Sequence, residues 1–186
     1  MKGSSRASSE KATRERTASG SRASASRGSG GGAADDLQRA RQGGSRRRAR
    51  EFALQGLYQR LLARTDPATI RTQLAEARGF GKCDVLFFDA LWRGVTSEFD
   101  ALIAAVRPYL DRAPEQLSPI EKAVLAIGAW ELLRSPDIPY RVTINEAVEL
   151  AKAYGGSDGH KYVNGVLDKL AAETRASEVG ARRIAT

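Results

Sequence analysis

An all-α fold of six or seven helices is predicted by three features of this 186-residue sequence. Beyond residue 45, apolar residues recur at the three- and four-residue spacing that places them on one face of a helix. Helix-starting signatures punctuate that pattern: Asp66-Pro67, Ser118-Pro119-Ile120-Glu121 and Thr143-Ile144-Asn145-Glu146. No segment alternates apolar and polar residues for long enough to make a strand.

Residues 1–44 hold nine Ser, eight Gly and no aromatic residue, so they cannot bury enough surface to offset the entropy of ordering. A disordered extension is expected there. Its Ser and Arg content also suits an organellar transit peptide, but Glu10, Glu15, Asp35 and Asp36 argue against one. Its expected role is non-specific attraction to nucleic acid, or solubility alone.

The folded domain is expected at 45–173. Ser45 caps a first helix whose buried stripe is Ala53, Leu54, Leu57, Tyr58 and Leu61, ending near Thr65. Asp66-Pro67 starts a second, carrying Ile70, Leu74 and Ala77, and Gly79 and Gly81 close it. From Asp84, the residues Val85, Phe88, Trp92, Val95, Phe99, Leu102, Ile103 and Val106 predict one helix of six turns, stopped by Pro108. A turn or a single helical turn is expected over 109–116.

The capping box at Ser118 to Glu121 opens a helix that is apolar on most sides and so runs through the middle of the domain. Pro136 and Pro139 keep the next connection extended. A second capping box, Thr143 to Glu146, predicts the following helix, which Gly155-Gly156 ends. Ser157 or Asp158 caps the last helix, with Val163, Val166, Leu167 and Leu170 inward, before a polar tail at 174–186.

The formal net charge is +8, and its distribution matters more than its size. Residues 1–45 carry nine basic and four acidic groups; the rest carries 21 and 18. Arg46, Arg47, Arg48 and Arg50 more than account for the excess of the folded part. On a helix that starts at Ser45 they occupy the first turn, where the macrodipole disfavours cations, so an anionic partner is expected to compensate. The plainer alternative is a solvated, frayed helix start. Arg forks pair phosphates and stack on unpaired bases, and Tyr58 adds a ring nearby, so nucleic acid is the favoured anion.

Little in the sequence supports catalysis. Cys83 is the only cysteine and His160 the only histidine, which excludes an intramolecular disulfide and makes a structural zinc site implausible. Neither has a visible catalytic partner. Gly155-Gly156-Ser157-Asp158-Gly159 lies between helices and so matches a phosphate loop only weakly. It still ends at a helix start with free amides, beside Lys161 and Tyr162. No apolar run is long enough for a membrane span, and cytoplasmic residence is expected.

Three ordered blocks resemble the NusB family of bacterial transcription antitermination factors: RRRAREFALQGLY, SPIEKAVLAIGAWEL and IPYRVTINEAVELAKAYGGSDGHKYVNGVLDKL, together spanning about 46–170. The resemblance implies two small packed helical bundles. It also implies recognition of single-stranded boxA RNA of ribosomal RNA leaders together with the small-subunit ribosomal protein NusE, within an antitermination complex on RNA polymerase. Carried over by position, the RNA-binding residues are Arg46, Arg47, Arg48, Arg50, Asp158, Lys161 and Tyr162, with Tyr58, Glu121 and Lys122 as further candidates. Tyr162 stands where phenylalanine is common in the family, and the extension at 1–44 lies outside the likeness. No cofactor, metal or catalytic residue is implied. A related module precedes the catalytic domain of some ribosomal RNA cytosine methyltransferases, but no α/β domain follows here, so an enzyme of that type is not expected. The rival reading is a helical adaptor that binds only protein. The RNA reading requires the arginine segment and the start of the last helix to share one face.

Overall fold

The computed structural model describes residues 30–183, and these contain eight α-helices and no strand. The expectation of disorder over residues 1–29 lies outside the described residues. The helices are α1 (Gly30–Ala63), α2 (Pro67–Glu76), α3 (Val85–Ser97), α4 (Phe99–Val106), α5 (Pro119–Arg134), α6 (Tyr140–Tyr154), α7 (Gly159–Thr174) and α8 (Ala176–Arg183). Helices α1 to α3 form one small bundle and α4 to α8 the other. α5 packs against members of both, namely α1, α3, α4, α6 and α7. The residues from Ala123 to Leu132 are all buried, which accounts for a helix that is apolar on most sides. One continuous hydrophobic cluster runs through both bundles.

Several starts follow the sequence closely. Asp66 Oδ2 accepts from the Thr69 amide at 3.0 Å with Pro67 at the first helical position, and Asp84 Oδ1 accepts from the Phe87 amide at 3.0 Å. The Ser118 capping box is complete: Ser118 Oγ accepts from the Glu121 amide at 3.2 Å, and Glu121 Oε2 accepts from the Ser118 amide at 2.9 Å. Aromatic rings fill the smaller bundle. Phe52, Phe80 and Phe88 meet edge to face at 5.1 and 4.9 Å, and Phe88 stacks with Trp92 at 6.2 Å. Helix α3 approaches α5 so closely that a Cβ at Gly94 would fall inside the Trp130 indole, so glycine is required there.

Four boundaries differ from expectation. Helix α1 begins at Gly30 rather than Ser45. The mean composition of residues 1–44 hides the stretch AADDLQRARQ at 33–42, rich in helix formers and with acidic residues preceding arginines, as the macrodipole favours. Ser45 is an interior residue whose hydroxyl donates to the Gln42 carbonyl at 2.9 Å. The six-turn stripe is broken at Glu98, whose φ of −109° and ψ of 14° leave the helical range. There, Thr96 and Ser97 hydroxyls donate to the carbonyls of Trp92 and Gly94, a competition with the backbone ladder that bends helices. Arg134 of α5 holds the corner by donating to Glu98 Oε2 at 2.6 Å.

Helix α6 begins at Tyr140, one turn before the expected capping box. Thr143 is buried inside the helix, and Glu146 turns inward toward Arg50 instead of capping. The cap comes from elsewhere: Glu178 Oε1 accepts from the Tyr140 amide at 3.0 Å. Glu178 belongs to α8, which occupies the stretch expected to be a polar tail. Arg175, just before α8, donates to the carbonyls of Leu132 and Ser135 at 2.7 and 2.9 Å and so closes the C-terminal end of α5. These long-range caps carry no local sequence signature.

Candidate nucleic-acid interface

With α1 continuous from Gly30, the arginines sit about four turns into the helix, where the macrodipole no longer penalises them. The expected anomaly of a cationic first turn is therefore absent, and their accessibility has to carry the argument. Arg46 is half-buried, its guanidinium 5.2 Å from the Phe87 ring centroid and its Nε 3.4 Å from Asp84 Oδ2. Arg47 is exposed and reaches Glu149 Oε2 at 3.4 Å and Glu51 Oε1 at 4.0 Å. Lys152 shares Glu149, and together with Arg47 it holds that carboxyl below the usual carboxylate range. Arg48 is exposed. Exposed ion pairs of this kind contribute about 0–1 kcal/mol, so a phosphate can replace the carboxylate at small cost.

Arg50 does not belong with the other three. It is 3% exposed, its Nε and Nη2 donate to Glu131 Oε1 and Oε2 at 2.7 Å each, and Glu146 lies 3.6 Å from Nη1. Its side chain shares the buried face of α1 with Ala49, Ala53, Leu54 and Leu57, the apolar stripe begun one turn earlier than the sequence reading placed it. Arg50 is withdrawn from the RNA-facing set for that reason.

Arg48 borders a groove of about 870 Å³ with an apolar floor that includes Phe52, Leu54 and Ile120. Arg78 and Lys82 add positive charge, and Tyr58 and Tyr154, 40% and 51% exposed, line it as well. Tyr154 is the last residue of α6, and nothing local in the sequence distinguishes it.

On α7, Asp158 occupies the N-cap position without a side-chain cap bond. Its carboxylate instead meets Lys161 Nζ at 2.9 Å, with both side chains largely exposed. Tyr162 is half-buried against the core, its hydroxyl is buried, and the Arg112 guanidinium lies 4.5 Å from its ring centroid. Burial pushes the Tyr162 phenol up, and the charge of Asp111 adds to it. Its ring is thus not an open stacking surface. Glu121 is held in its capping box and lies against Gly159, and Lys122 is half-buried on the same first turn of α5.

The two segments border that same turn. Ile120 lines the groove with Arg48 and Tyr58, while Glu121 packs at Gly159, the first residue of α7. His160 is half-buried, and Cys83 is buried with its thiol pushed up by burial and by Asp84, a poor setting for a nucleophile. Among the described residues no group of three His, Cys, Asp or Glu side chains could hold a metal ion, and no helix is long and apolar enough to cross a membrane.

A family model described as the NusB family matches residues 47–172. The transcription antitermination protein NusB of Ralstonia pickettii is 58% identical over 139 residues, covering 75% of this chain and 90% of that protein. The protein of the same name from Thiobacillus denitrificans is 53% identical over 136 residues, covering 73% and 94%. A solved structure of T. maritima NusB superposes with a TM-score of 0.65 at 30% identity, covering 73% of this chain and 96% of the other.

Proposed function

The chain belongs to the NusB family, and on that premise we propose that it is an RNA-binding antitermination factor that recognises boxA-type single-stranded leader RNA together with the ribosomal protein NusE. It acts in the cytoplasm on transcribing RNA polymerase, as an adaptor and not as an enzyme. The observation that carries this reading is the row of half-buried Arg46 and exposed Arg47 and Arg48, the first two weakly paired to carboxylates, beside a first turn of α5 that also meets the start of α7. Exchange of a surface carboxylate for a phosphate keeps the charge balance of the domain and releases counterions from the RNA.

Within that surface, Arg46, Arg47, Arg48 and Lys161 hold the backbone, and the Asp158 carboxylate accepts from base amino groups. The apolar groove between Phe52 and Ile120 suits a protein partner better than a phosphate chain, which supports seating the ribosomal protein next to the RNA.

The test is a competition titration with a boxA-like strand and a scrambled one, with and without the ribosomal protein. The boxA-like strand is expected to win, and by a wider margin when the ribosomal protein is present. Equal binding of the two strands would defeat sequence recognition. Absence of binding in both conditions would leave the protein-only adaptor.

A further inference from the structure

Arg112 lies across the Tyr162 ring of the candidate interface, and neither its loop nor its residue type marked it in the sequence. Its guanidinium sits 4.5 Å from the Tyr162 ring centroid. Asp111 holds it there, with Arg112 Nε donating to Oδ1 at 2.8 Å and Nη2 to Oδ2 at 3.4 Å. Those two bonds use one edge of the guanidinium, and its Nη1 group makes no hydrogen bond among the described residues.

The loop carrying Arg112 is confined. Pro108 lies in a short 3₁₀ turn before it and Pro114 opens another after it. The Ala113 amide donates to Gln116 Oε1 at 3.1 Å, and Leu110 and Leu117 anchor the two ends in the core. The side chain itself is 42% exposed. Its guanidinium therefore lies over Tyr162 while part of the side chain stays open to solvent, held in advance of any ligand.

We propose that the stacking platform at the start of α7 is Arg112 on Tyr162, with an unpaired RNA base taking the outer face of the guanidinium and Nη1 bonding to that base or its phosphate. A planar cation on an aromatic ring offers a π-face to any base and a charge to the backbone, the combination used on single strands. Asp111 serves as the positioning residue that keeps the plane over the ring. The inference rests on the RNA-binding reading above and deepens it at one residue.

The experiment uses the full chain with boxA-type single-stranded RNA carrying 2-aminopurine at successive positions, whose fluorescence is quenched by stacking. Arg112→Ala is expected to weaken binding about tenfold and to abolish the quench at one position. Arg112→Lys keeps the charge, so its salt dependence should match the parent chain, yet the quench and most of the affinity should be lost. Arg93→Ala, an exposed change on α3, should leave both readouts unchanged. Parent-like binding and quench by Arg112→Lys would reduce the residue to a point charge and overturn the platform. Unchanged binding by Arg112→Ala would remove Arg112 from the interface, and tighter binding would make it a cover over Tyr162; either overturns the proposal while RNA binding itself stands. A parent chain that binds no RNA would remove the underlying reading as well.

Discussion

Glu131→Ala is expected to destabilise the protein by about 3–5 kcal/mol, the range for leaving a buried charge without its partner. Arg50 and Glu131 are 3% and 1% exposed and joined by two bonds of 2.7 Å. Burial alone would lower the Arg50 pKa, but the Glu131 hydrogen bond and charge, helped by Glu146, outweigh it and raise the guanidinium above its usual value. The guanidinium therefore stays charged at any pH at which the protein is handled. Phe87 closes the site from the side of α3, its ring centroid 5.0 Å from the guanidinium. The cluster fastens α1 to α5 and α6, because Glu131 lies on α5 and both Glu146 and Thr143 lie on α6. In the double variant Arg50→Met with Glu131→Leu, both charges leave together, and part of the loss should be recovered as Glu146 turns to solvent. Chemical denaturation of the parent, the single variant and the double variant checks this. A loss below about 1 kcal/mol in the single variant would mean that water reaches the pair.

Joint replacement of Arg46, Arg47 and Arg48 by alanine is expected to act in the opposite sense, with a large effect on RNA and a small one on the fold. Arg47 and Arg48 are exposed, and Arg46 has an exposed edge beyond its contacts with Asp84 and Phe87. Removing pairs of this kind costs about 1 kcal/mol each at most. If the three hold phosphates, the slope of log affinity against log salt should fall by about 2, since each phosphate contact on a single strand contributes about 0.7. Salt titrations of both proteins provide the measurement. Loss of stability without a change in slope would place the arginines in the structural class to which Arg50 belongs.

That division within one run of arginines explains how far the interface was legible from sequence. Periodicity put Ala53, Leu54 and Leu57 on the buried face, but the helix was started at Ser45, so Arg50 was grouped with the first-turn arginines instead of being extrapolated inward from that face. Its partner, Glu131, is 81 residues away, a distance local patterns do not bridge. Caps made by nearby side chains, at Asp66, Asp84 and Ser118, were legible because donor and acceptor are three residues apart. The start of α6 was misplaced because its cap is Glu178, and the end of α5 went unseen because its carbonyls are closed by Arg175. Thr143 and Glu146 imitate a capping box, yet one is buried and the other faces Arg50. Glu98 breaks a stripe whose apolar spacing passes through the corner unchanged, so periodicity alone reads it as a single helix. For the candidate interface, the arginines and the start of α7 stand out by residue type, whereas Arg112 and Tyr154 needed the fold to bring them beside Tyr162 and Arg48.

The central claim is that the arginine segment of α1 and the start of α7 form one RNA surface across the first turn of α5. The most direct measurement is a titration of the isotope-labelled chain with boxA-type single-stranded RNA, followed through backbone amide chemical shifts. The account predicts that amides of residues 46–48, 111–113, 119–122 and 158–162 move together and saturate at the same RNA concentration. Movement of only one of these groups, or of none while RNA binds elsewhere, would contradict it.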